Sequence, residues 1–135
     1  MIVVDTSVLV PILRSAPAAE TAVLWQLVDA DLVTVPAIVR QEIRAGLARA
    51  DRQRVLDLLG ALPVGMPTEE TWARVETWTD QAAVAGERFG LADLLIAAIA
   101  DEVGALVWSY DKDFERMEKL RFVRLYAQGR VFKPA

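Results

Sequence analysis

Four short apolar runs constrain this chain more than any other feature. They are MIVV at the start, LVTV at 32–35, ALVWS at 105–109 and RFVRLY at 121–126. Each is brief and mostly β-branched, aliphatic or aromatic, which is how buried strands read. Between them lie longer segments with helical spacing, among them AAETAVLWQLVDAD, AIVRQEIRAGLARA, DRQRVLDLLGAL and LADLLIAAIADEV. Strands separated by helices predict an α/β chain with a short parallel sheet and helices on both faces. There is no repeat, linker or low-complexity segment, and residues 1–135 are expected to form one domain.

Local signals refine this outline. A first strand over Ile2–Asp5 should pass into a helix capped by Thr6 or Ser7, with Pro11 disturbing its later part. Pro36 suits the first turn of the next helix. PVGMP reads as a break after DRQRVLDLLGAL. Thr68 should cap a helix carrying Glu69 and Glu70 in its first turn, where the dipole favours acids. Trp72, Val75, Thr79, Ala82 and Ala83 share one face of that helix.

The chain has no Cys and no His. Disulfides, Cys/His zinc sites, thiol nucleophiles and imidazole bases are therefore excluded. Any hydrolytic chemistry must use carboxylates, hydroxyls, Lys, Arg or a metal held by oxygen. No uncharged run exceeds 11 residues, too short for a membrane span. The opening lacks the basic start of a secretory leader, so a cytoplasmic protein is expected. A net charge of -4 argues against coating nucleic acid through the overall field, though local basic strips remain available.

Of the 19 acids, a few sit poorly for a surface role. Asp5 lies between two apolar runs, where an unpaired carboxylate is costly. In parallel sheets ligands bind beyond the carboxyl ends of strands, and both Asp5 and Asp111 follow strands. Asp93 opens a very apolar helix with no cation three or four residues away; the plainer reading is an acid stabilising a helix N-terminus. Glu42 likewise lacks a cationic helical neighbour, but so do Glu87 and Asp101, so an ordinary exposed glutamate accounts for it equally well. Asp111 and Asp113 in SYDKDF could simply cap a short helix. Several carboxylates converging in one cleft would repel each other, and a divalent cation resolves that conflict. With oxygen ligands only, Mg²⁺ or Mn²⁺ is the natural ion.

VVDTSVL, VRQEIRAG, ADLLIAAIA and LVWSYDKDF, in that order, give the whole chain a resemblance to the PIN-domain ribonucleases, specifically the VapC toxins of bacterial toxin–antitoxin pairs. The resemblance implies a three-layer α/β/α sandwich around a mostly parallel sheet. It implies that Asp5, Glu42, Asp93 and Asp111 are the metal-binding catalytic acids, with Asp113 in a more variable role. Thr6 and Ser109 match hydroxyl positions that orient ligands or water, Ser109 replacing the more usual threonine. It also implies a homodimer, a higher-order toxin–antitoxin assembly, and a VapB-type antitoxin that blocks the cleft.

On this reading the chain hydrolyses RNA with Mg²⁺ or Mn²⁺, leaving a 5′-phosphate and a 3′-hydroxyl. Arg40, Arg44, Arg49, Lys112, Arg116 and Lys119 are candidate phosphate contacts; the plainer account is solvated helix charges. Two alternatives compete. One is a PIN-like binding module without turnover. The other is a Mg²⁺-binding phosphoacceptor signalling domain, suggested by Lys133 and Pro134 in VFKP but lacking an acceptor aspartate at the end of a middle strand.

Overall fold

A computed structural model describes residues 1–14 and 18–126. Lys133 and Pro134 lie outside them. The elements run β1 (Ile2–Val4), α1 (Thr6–Leu13), α2 (Ala18–Asp29), β2 (Val33–Pro36), α3 (Ala37–Ala45), α4 (Arg52–Gly60), β3 (Val64–Gly65), α5 (Glu69–Val84), α6 (Leu91–Glu102), β4 (Leu106–Trp108) and α7 (Lys112–Lys119). The strands form one sheet in the order β3-β2-β1-β4. Every pairing is parallel. Helices flank the sheet in the α/β sandwich arrangement, as expected. α6 lies against β1 and β4 and packs on α5, while α1 packs on α3. Among the described residues, no helix is long and apolar enough to cross a membrane.

The runs that read as buried strands are buried. Val3 and Val4 are fully enclosed, and so are Val35 and Val107. Seven successive residues of α6, Leu94 to Ala100, are buried too, which a helix tolerates only when covered on several sides. The register places Val4 opposite Trp108, the last residues of β1 and β4. The residues that follow each strand, Asp5 and Ser109, therefore emerge side by side at the carboxyl end of the sheet. The amide of Asp5 donates to the carbonyl of Trp108 at 3.0 Å, extending the ladder by one bond.

Several local expectations change. Asp5, not Thr6 or Ser7, caps α1: its carboxylate accepts from the Ser7 amide, because the strand already stops at Val4. The helix continues through Pro11 to Leu13, forgoing only the bond an amide at position 11 would make to the Ser7 carbonyl. α3 ends at Ala45, so LARA is not helical. Thr68 caps α5 as expected, within a capping box completed by Thr71. The buried stripe of α5 is Thr71, Val75, Trp78 and Ala82. Trp72 stays 45% exposed, because Trp78 is the ring that finds a partner: it stacks on Phe122 with centroids 4.6 Å apart. RFVRLY contributes, among the described residues, only a bridge from Leu125 to Val107.

The segment PVGMP contains a strand that periodicity did not reveal, since β3 is two residues long and pairs with Val35 and Pro36. Gly65 is required there. A Cβ at that position would lie 2.6 Å from Thr34 Cγ2 and 3.3 Å from Ile99 Cγ2. Thr34 is β-branched and cannot easily swing away. Gly65→Ala should destabilise the fold by about 1–3 kcal/mol, the usual cost of overpacking, read as a lower urea midpoint with an unchanged slope.

Candidate metal centre

Asp5 is only 5% exposed, and its Oδ2 is enclosed by donors. Ser109 Oγ donates to it at 2.7 Å and Ser7 Oγ at 2.8 Å, with the Ser7 amide at 3.4 Å. Both hydroxyls accept in turn: Ser7 Oγ from the Tyr110 amide at 2.9 Å, Ser109 Oγ from the Asp111 amide at 3.0 Å. Each hydroxyl has a single proton, so the 3.2 Å approach of Ser7 Oγ to Ser109 Oγ carries none when both serve Asp5. Protons thus run one way, from the backbone after β4, through two serines, to the carboxylate after β1. This network gives a buried acid the partners it needs.

The remaining acids arrive from helix starts. Asp93 is in the first turn of α6 and is half-buried. Asp111 caps α7, its Oδ1 accepting from the Asp113 amide at 2.9 Å. Asp113 sits in the first turn of the same helix. One carboxylate oxygen from each of Asp93, Asp111 and Asp113 lies within 4.8 Å of the others. Burial, and then the charges of Asp111, Asp5 and Asp113, push the Asp93 carboxyl up from 3.8 to about 7. Such crowding is what a divalent cation relieves, and the donors are oxygens alone, so the residues fit a hard ion such as Mg²⁺ or Mn²⁺.

Glu42 stands apart from this trio. It is exposed on α3, and its Oε1 accepts from Thr6 Oγ1 at 2.9 Å. Thr6 thereby ties the α3 glutamate to the turn that carries Asp5. Arg40 is half-buried; Arg44, Arg49, Lys112 and Lys119 are exposed. Arg116 is already engaged, donating to Asp113 Oδ1 at 2.7 Å and to Glu87. Ser7 is a site residue that the sequence does not reveal, because a hydroxyl two positions after Asp5 suits a helix cap as well. Glu87 shares its lack of a cationic helical neighbour with Glu42 and Asp101, so the local pattern does not single it out. Trp78 and Trp108 are core residues.

Comparison with known proteins follows the same lines. The sequence matches the PIN domain family model over residues 2–120. No curated protein matches it by sequence. Among solved structures it resembles VapBC2 from Rickettsia felis bound to a promoter DNA fragment, with a TM-score of 0.79 and 21% identity over 93% of this chain and 98% of that one. It resembles FitAcB from Neisseria gonorrhoeae with a TM-score of 0.72 and 25% identity over 94% and 97% of the two chains. VapC20 from Mycobacterium tuberculosis, described as a Sarcin-Ricin loop cleaving toxin, aligns with a TM-score of 0.63 and 17% identity over 87% and 95%.

The raised Asp93 carboxyl has a consequence for stability. The folded chain holds that proton more tightly than the unfolded chain, so metal-free stability falls as the pH rises from about 4 through about 7. Asp93→Asn should remove the penalty. At pH 8 in chelator the variant should be more stable by ~1 kcal/mol, a figure discounted for the partial exposure of the group. Near pH 4 the difference should vanish. Thermal melts at the two pH values check this.

Proposed function

The chain belongs to the PIN-domain family, and on that premise we propose that it is a metal-dependent endoribonuclease of the VapC toxin kind. The observation that carries the reading is the gathering of Asp93, Asp111 and Asp113 beside the buried Asp5, with the Asp93 carboxyl pushed up by burial and then by the charges of its neighbours. Asp5, Asp93 and Asp111 are the residues that would hold the ion, Mg²⁺ or Mn²⁺. When bound, such an ion activates water at neutral pH and stabilises charge on phosphoryl oxygens, the part an imidazole plays elsewhere. That suits a chain with no His.

The residues around the ion have separable tasks. Ser7 and Ser109 orient Asp5 through its Oδ2. Thr6 fixes Glu42 at the margin of the cleft, where it can complete the acid set. Exposed Arg44 and Lys112, with Arg40, remain free to meet RNA phosphates. Hydrolysis by activated water leaves a 5′-phosphate and a 3′-hydroxyl. A single domain over residues 1–135, a cytoplasmic setting, a homodimer and a VapB-type antitoxin complete the proposal. The likeness to VapBC2 supports the antitoxin. The description of VapC20 as a Sarcin-Ricin loop cleaving toxin supports RNA as substrate.

The test pairs calorimetry with cleavage. Wild type should bind Mg²⁺ or Mn²⁺ saturably, and Asp5→Asn, Asp93→Asn and Asp111→Asn should each abolish or strongly weaken that binding. Cleavage of single-stranded RNA should stop in EDTA and fall at least about 100-fold in Asp93→Asn. Metal-independent cleavage, or binding of RNA with no turnover by the wild type, would overturn the proposal, the second result favouring a binding module.

A further inference from the structure

Arg116 makes more contacts than a surface arginine needs. It lies on α7, three residues after Asp113, and its Nη2 donates to Asp113 Oδ1 at 2.7 Å. Nη1 donates to Glu87 Oε2. The guanidinium carbon sits 4.7 Å from the centroid of the Phe89 ring. Glu87 and Phe89 belong to the connection between α5, which ends at Val84, and α6, which begins at Leu91. One planar cation therefore joins the start of α7, carrying Asp111 and Asp113, to the segment that delivers Asp93.

Simple stability does not explain this. The side chains of Arg116 and Asp113 are 39% and 38% exposed, and ion pairs of that kind contribute little to folding. Charge and position do explain it. The acid cluster repels itself when no cation is present, and Arg116 is the cation bonded directly to one of its members. The two ends of the fork reach different carboxylates, a geometry a lysine ammonium does not reproduce.

We propose that Arg116 is a resident counter-ion and positioning residue of the carboxylate cluster, holding Asp113 against the α5–α6 connection and competing with a bound divalent cation for its charge. The competition half of this inference rests on the metal reading above. It makes Asp113 an acid of reduced charge beside the ion's ligands, which separates it from Asp93 and Asp111.

The test uses the full chain with Mn²⁺ alone as probe. Arg116→Gln should bind Mn²⁺ ~10-fold more tightly than wild type, since one nearby positive charge is gone, and should melt lower without metal. Arg116→Lys should keep affinity within about threefold of wild type while still melting lower, because charge survives and the fork does not. Glu87→Gln should leave affinity unchanged. Equal or weaker Mn²⁺ binding by Arg116→Gln would overturn the competition and leave a merely structural latch. Should wild type bind no Mn²⁺, the metal reading fails, yet the counter-ion role is still decided by salt. The melting deficit of Arg116→Gln must then shrink as ionic strength screens the carboxylates; a deficit indifferent to salt would overturn it.

Discussion

The buried carboxylate of Asp5 is the interaction on which the rest of the site depends. It sits where a continuous apolar strand stops, and it is nearly sealed from solvent. A charge there survives only with partners, and its partners come from one residue of its own turn and one beyond β4. The parallel register of β1 and β4 makes that meeting possible. A slip of one residue would turn Ser109 away from Asp5, remove the Ser7 acceptor from the Tyr110 amide and uncover a buried acid. Strand register and site geometry are thus one constraint.

Against that sits a deliberate conflict. Four acids share one region, and burial together with its neighbours' charges displaces the Asp93 carboxyl far from its ordinary range. Local rules of good folding are broken here, while in the core apolar side chains fill the interior and α6 is buried along seven successive residues. Conflicts of this kind concentrate where a protein acts. The surrounding structure contains the conflict with helix starts that favour acids, with two serines on Asp5, and with the guanidinium of Arg116.

Much of this was legible in the sequence. β1, β2 and β4 announced themselves as apolar runs, and the rule for parallel strand ends pointed to Asp5 and Asp111 before any geometry was known. Asp93 stood out because no cation lay within a helical turn. What stayed hidden was decided by distant contacts. β3 is too short to have a period and exists because Val35 and Pro36 offer it an edge. The inward face of α5 turned on whether Trp72 or Trp78 met an aromatic partner, and Phe122 lies far along the chain. Arg116 looked like a free basic residue because its ligand Glu87 is 29 positions away. Glu42 could not be separated from Glu87 by helical neighbours; their distant partners, Thr6 for one and Arg116 for the other, distinguish them.

The order in which the sheet is built has a meaning for synthesis. β1 is translated before β2, β3 and β4, but it is a central strand, and one of its neighbours is β4, the last of these four. Asp5 waits for Ser109, 104 residues later. Contacts so distant in sequence are slow to form and come late in folding. A nascent chain therefore carries no assembled acid cluster until β4 and the start of α7 have been translated. The topology acts as a timer: whatever chemistry the cluster performs is withheld until β4 and the start of α7 have been made, and the partly made chain depends on neighbouring helices to shield β1.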